Sequence, residues 1–271
     1  MRILVNLKPS ILILLSAVLL PLPLSAEVVW QFEPHVPIAV NETPETVSTG
    51  ALGPPTQFVL DDGTSEGTFG FGGANAVQFL WFNQFDLPGS LVDLNEIQVL
   101  FPSGPNMAVG TAVDLVVFHD SDGDPTNGAT RLATLPVTIQ NVDGATFSTY
   151  SVNPPLHLPE SGELLIGVIP RFIVSGVTTQ TSPAAIDTTV SQGRSWIAVW
   201  TGDPPMPPDL PPDLLIDTID VFAAGNWMIR ATGGDTPPVA IPTASPAGLV
   251  VLALLLLGTS ITLLRRRHSV P

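Results

Sequence analysis

Proline and glycine decide most of what this chain can fold into: 29 prolines and 23 glycines punctuate its 271 residues. Proline stops a helix by removing an N–H and clashing with the preceding turn, and glycine weakens it entropically. Between the two ends of the chain, no window of a dozen residues keeps helical apolar spacing. What remains are short segments rich in β-branched and aromatic residues, set apart by Gly, Pro, Asn and Asp. The expected strands are Val28–Phe32, Ala76–Phe85, Glu96–Phe101, Ala112–His119, Arg131–Ile139, Thr146–Val152, Glu163–Phe172, Ser195–Thr201, Thr218–Phe222 and Asn226–Ala231. Alternation is clearest from Asp114 to His119 and from Arg131 to Ile139. Many short strands at this spacing predict an all-β, antiparallel two-sheet sandwich, jelly-roll-like, over residues 57–231.

The two ends have a different composition. Met1-Arg2 and Lys8 precede an apolar run from Ile11 to Leu20, which closes on Leu24-Ser25-Ala26 before Glu27. A basic start, a short apolar core and small exit residues make a secretory signal peptide over 1–26, with cleavage expected between Ala26 and Glu27. At the other end residues 247–264 are apolar apart from small residues and hydroxyls. At a rise of about 1.5 Å per residue they reach about 27 Å, enough for one transmembrane helix. Arg265, Arg266 and Arg267 follow as a stop-transfer signal; with 265–271 as a basic cytoplasmic tail, the rest of the chain lies outside.

Charge divides along the same lines. All 24 acidic residues lie from Glu27 to Asp235, against Arg131, Arg171, Arg194 and Arg230, which leaves −20 and no lysine. Such a segment repels phosphate backbones, so nucleic acid is not an expected partner. The chain has no cysteine, which excludes thiol catalysis, cysteine metal sites and cysteine-linked lipid. Residues 27–56 read as an extended lead-in. The tandem Pro-Pro-Asp-Leu within 202–216 reads as a projecting polyproline loop, and 232–246 as a linker.

Ile241, Pro242, Thr243, Ser245 and Gly248, followed by the apolar run and the arginines, resemble the IPTL-CTERM sorting tail, a relative of PEP-CTERM. That motif reads Ile-Pro-Thr-Leu-Ser-x-Trp-Gly; here Ala244 stands for the leucine and Ala247 for the tryptophan. The resemblance implies processing by an exosortase-type transpeptidase and transfer to the cell surface. A second resemblance runs through Phe58–Gly63, Val116–Asp124, Glu163–Val168 and Asn226–Ala231. These strand ends resemble a jelly-roll module of large secreted bacterial proteins, one associated with no defined catalytic centre.

Within the outer segment the best candidate site is Asp120-Ser121-Asp122-Gly123-Asp124. Alternate carboxylates on a Gly-containing loop suit a hard cation, so Asp120, Asp122 and Asp124 are candidate calcium ligands; an acidic hairpin loop is the alternative. The EF-hand template fails, with Pro125 at its glycine position and Arg131 at its closing glutamate. Asp61-Asp62-Gly63 is a weaker candidate of the same kind, with a turn as the equal alternative. No zinc spacing joins His35, His119 and His157, and no nucleophile motif surrounds any serine. Glu160 and Glu163 have the residue type of a glycosidase pair, but every acidic domain offers such pairs. Gly67–Gly73 lacks the lysine of a phosphate loop and reads as a loop or sheet edge. Phe79, Trp81, Phe82, Phe85, Trp196 and Trp200 are expected to fill the core; exposed, they would suit a surface glycan. The function expected is an exported, non-catalytic structural or adhesive module at the cell surface or matrix. The alternative is a secreted hydrolase or carbohydrate-binding protein held at the membrane.

Overall fold

The computed structural model describes residues 28–41, 55–73, 77–90, 92–174, 177–178 and 180–235. Ala26 and Glu27, the sorting motif, the apolar run 247–264 and Arg265–Arg267 lie outside the described residues. Among the described residues no helix is long and apolar enough to cross a membrane.

The chain is all-β. In order its strands are β1 (Val28–Ala39), β2 (Thr56–Phe58), β3 (Thr64–Gly73), β4 (Gln78–Asp86), β5 (Val92–Val99), β6 (Ala112–Asp120) and β7 (Thr130–Thr138). Then come β8 (Ser148–His157), β9 (Glu163–Pro170), β10 (Gln180–Asp187), β11 (Ser195–Trp200), β12 (Leu215–Thr218), β13 (Asn226–Trp227) and β14 (Ile229–Asp235). They pair antiparallel in three sheets, ordered β1-β3-β10-β13, β12-β11-β4-β9-β6-β7 and β2-β14-β5-β8. One buried cluster draws on all three: Phe69, Phe71 and Ile186 from the first, Trp81, Leu115, Ile166 and Val199 from the second, Leu94, Ile97 and Tyr150 from the third. The six-stranded sheet thus faces the two four-stranded sheets across a shared core, as a β-sandwich.

Most expected strands form with shifted ends, and the departures have physical causes. Part of the lead-in is strand: β1 runs to Ala39 and pairs with β3, with its register broken between Pro34 and Ile38. Pro34 and Pro37 are tolerated because β1 is an edge, where a missing N–H costs no ladder bond. Pro136 on β7 and Pro154 and Pro155 on β8 also sit on edge strands, which blunts the edges against pairing with another chain. The glycine-rich stretch is not a loop but β3, paired on both sides. A Cβ on Gly70 would run into Thr181 O, where β10 breaks register between Thr181 and Ala184. That irregularity also houses Pro183, which hid β10 from the sequence reading. Beyond β12, the expected strand through Phe222 becomes a 3-10 turn over Ile219–Val221.

The outer face of the six-stranded sheet is apolar as well. Leu80, Phe82, Val116, Phe118, Leu165, Ile169, Ala198 and Trp200 form a second buried cluster, closed by Leu210 of the Pro-rich segment. The Pro-rich segment therefore does not project. Pro204, Pro208 and Leu210 are buried, Ala129 bridges Leu210, and Arg131 Nη1 donates to Pro208 O at 3.1 Å and Asp209 Oδ1 at 3.0 Å. Burying apolar surface on the sheet outweighs the preference of the tandem prolines for a free extended loop.

Candidate functional site

The carboxylates of the acidic loop are held by alternation in β6. Val113, Leu115 and Val117 point into the shared core, so Asp114, Val116, Phe118 and Asp120 face outward. Asp120 is the last residue of β6 and only 1% exposed. Its Cα partner across the β6–β9 ladder is Glu163, the first residue of β9. Beyond Asp120 each carboxylate ties down the backbone two or three residues on. Asp120 Oδ1 accepts from Asp122 N at 3.2 Å and Gly123 N at 3.1 Å. Asp122 Oδ1 accepts from Asp124 N at 3.2 Å and Oδ2 from Asn127 Nδ2 at 2.8 Å. Asp124 Oδ1 accepts from Thr126 N at 3.0 Å and Thr126 Oγ1 at 2.5 Å, capping the 3-10 turn Pro125–Asn127. Gly123, at φ +80°, supplies the left-handed turn.

Asp120 and Asp122 are therefore brought side by side, whereas the Asp124 carboxylate is spent on Thr126. Burial, and then the Asp122 carboxylate beside it, hold the Asp120 carboxyl above the ordinary carboxylate range, against its two backbone donors. Asp122 is fully exposed and lies below that range, chiefly through the Asn127 amide. Arg131, at the position where an EF-hand closes, points instead to the Pro-rich segment.

A second acidic group joins Asp62, from the weaker candidate segment, to two residues that the sequence does not single out. Asp62, Glu66 and Asp187 bring carboxylate oxygens within 4.8 Å of one another, although Asp187 lies over a hundred residues along the chain. Their oxygens have protein donors. Thr64 N and Oγ1 reach Asp62 Oδ1, Thr64 Oγ1 and Thr188 N reach Glu66, and Thr189 N and Asp62 N reach Asp187. The Thr64 hydroxyl, foremost, holds Asp62 below the usual carboxylate range. The neighbouring Asp61 does form a turn, accepting from Gly63 N at 3.1 Å, but its side chain is fully buried and paired with Arg230 Nη2 at 2.6 Å.

The other candidates stand apart. His119 Nε2 lies 2.8 Å from the carbonyl of Ser161, His157 Nδ1 lies 2.9 Å from Asp93 Oδ1, and His35 contacts its neighbour's carbonyl. Open clefts of about 260 and 270 Å3 lie beside Asp62–Asp187 and beside Phe85–Arg194, and neither is lined by His119 or His157. Glu160 is exposed in the turn, while Glu163 Oε1 lies 3.1 Å from Arg194 Nη2. Phe79, Trp81, Phe82, Phe85 and Trp200 are buried, and half-buried Trp196 stacks on Phe82 at 6.3 Å. These aromatics are core, as expected.

No known family matches the chain, and no curated protein does. The solved structures similar to this chain include two of Cwp84. One holds the cysteine protease and lectin-like domains of Cwp84, a surface layer associated protein of Clostridium difficile, at 15% identity and a TM-score of 0.46. The other is a clostridial Cwp84 cysteine protease variant after propeptide cleavage, at 14% identity and a TM-score of 0.43. Each alignment covers 67% of this chain, but only 36% and 40% of the respective neighbour. The chain thus spans well under half the length of either.

Proposed function

We propose that this protein is exported and displayed at the cell surface as a non-catalytic β-sandwich of jelly-roll type, with a structural or adhesive role. One observation supports this above others: the acidic, lysine-free stretch between the two segments whose composition suits export builds an antiparallel β-sandwich around one shared core. In this reading residues 1–26 are removed and 247–264 hold the protein in the membrane. An exosortase-type enzyme then cuts near Ile241–Gly248 and passes the sandwich outward. A surface glycan or matrix polymer is the kind of partner such a module would meet. The lysine-free acidic segment suits an exposed, soluble surface.

Intact-mass analysis of protein released from the surface of cells tests the scheme. The expected species starts at Glu27 and lacks the arginine cluster. Recovery from the cytosol of a chain carrying both Met1 and Arg265–Arg267 overturns it.

A further inference from the structure

The acidic end of β6 carries two carboxylate oxygens with nothing to bind. Among the described residues no hydrogen-bond donor reaches Asp120 Oδ2 or Glu163 Oε2, and both atoms are buried. In each carboxylate one oxygen is spent and the other is left over: Asp120 Oδ1 on the loop's N–H groups, Glu163 Oε1 on Arg194. The two residues are directly paired across β6 and β9, so their side chains leave the same face of the sheet. Directly opposed residues of an antiparallel pair have Cβ atoms about 5 Å apart. The loop closes over them, since a Cβ on Gly123 would lie 3.4 Å from Glu163 Oε1 and 3.9 Å from Oε2. Gln84 Nε2 holds that loop down through Gly123 O at 3.0 Å. Asp122 adjoins Asp120, but its own oxygens are taken by Asp124 N and Asn127 Nδ2. Arg194 Nη2 lies 3.1 Å from Glu163 Oε1 and is shared with Asp86 Oδ1 at 3.1 Å.

We propose that Asp120 and Glu163 hold a calcium-class divalent cation at this end of the six-stranded sheet, with Asp120 Oδ2 and Glu163 Oε2 as its inner ligands. A buried carboxylate oxygen without a donor is costly, and a hard cation coordinated by carboxylate oxygens removes that cost. Calcium accepts irregular oxygen cages, while magnesium demands near-octahedral geometry and keeps its waters. The site goes beyond the surface role proposed above and stands or falls separately from it. It also differs from the loop motif in the sequence: Asp122 and Asp124 are excluded because Asn127 and Thr126 occupy them, and Glu163 enters from another strand. The Asp62–Glu66–Asp187 group is not the site, because its oxygens already take protein donors.

The test uses the purified full-length chain in detergent, with calcium binding read by titration and terbium luminescence and stability read by thermal melting. Calcium should bind with Kd of about 10⁻⁴–10⁻³ M, as in extracellular modules. Calcium at tenfold excess over Kd should raise Tm by about 4 °C relative to chelator, and magnesium at equal ionic strength by much less. Asp120→Asn keeps the acceptor for the loop N–H groups while removing the buried charge. It should raise Tm in chelator and abolish the calcium shift. Glu163→Gln should weaken calcium by tenfold or more, on the order expected for losing a charged ligand. Asp124→Asn and Glu66→Gln should bind calcium as the parent does. Equal effects of calcium and magnesium would overturn the proposal, as would parental calcium binding by Glu163→Gln. So would loss of binding in Asp124→Asn or Glu66→Gln, or an Asp120→Asn protein as stable as the parent with and without calcium, which would mean that a proton occupies the site. Should Asp120→Asn fail to fold, Glu163→Gln with terbium decides alone.

Discussion

Replacing Asn83 by alanine should cost this fold more than any exposed polar substitution, because Asn83 clamps the point where the chain changes sheets. Trp227 in β13 pairs with β10, and Ile229 in β14 pairs with β5, so the chain crosses between the two four-stranded sheets at Met228. The fully buried Asn83 amide donates to both flanking carbonyls, Trp227 O at 2.9 Å and Ile229 O at 3.0 Å. Its Oδ1 accepts from Ser195 Oγ at 2.6 Å, and Ser195 Oγ accepts from Trp227 N at 3.0 Å. Asn83→Ala removes three bonds worth about 1 kcal/mol each and deprives the Ser195 hydroxyl and the Trp227 and Ile229 carbonyls of that partner. The expected loss is about 3–4 kcal/mol, a fall in Tm of about 6–15 °C for a body of this size. Urea unfolding followed by tryptophan emission measures it, since Trp227 and Trp81 are both buried. Asn41→Ala, which removes one exposed bond to Thr146 Oγ1, is the control and should stay within about 0.5 kcal/mol. A loss below about 1 kcal/mol for Asn83→Ala, or one equal to the control, would refute the clamp.

Three further outcomes are expected. Arg230→Ala strands the buried Asp61 carboxylate and removes the guanidinium 4.7 Å from the Phe147 ring; urea midpoints should show a loss of about 3–5 kcal/mol, with Arg230→Lys retaining part of it. Leu210→Ala unpins the Pro-rich segment from the outer face, costing about 2–3 kcal/mol and opening residues 202–214 to limited proteolysis without unfolding the sandwich. Thr64→Val removes the hydroxyl that lowers the Asp62 pKa below 3.8. Because the folded pKa is depressed, that stabilisation is present above pH 3.8 and lost as pH falls through the folded value. The variant should therefore be weaker than the parent at neutral pH, by less than about 1 kcal/mol for so exposed a group, and the gap should close in acid.

The class of fold was legible because it rests on local rules. Proline and glycine forbid helices wherever they recur, and alternation in stretches such as Asp114–His119 says which side chains face inward. The burial of Trp81 and Phe79 likewise follows from their size. Pairing was not legible, because it is settled by partners distant in the chain. The Gly67–Gly73 segment is a poor strand by composition, yet lies between β1 and β10 because Phe32 and Gln31 cover the space its missing side chains leave. The two Pro-Pro-Asp-Leu repeats are identical in sequence, but Leu210 is 8% exposed and Leu214 is 53% exposed. Only the position of the outer apolar face distinguishes them. The acidic sites divide in the same way. Alternate aspartates marked the loop, and its Asx turns follow from local chemistry. Glu163 joins it only because β9 pairs with β6, and Asp187 meets Asp62 and Glu66 only because β10 lies beside β3. Spacing along a chain records contacts that the backbone makes with itself over a few residues; it carries no record of which strand end a sheet will place opposite.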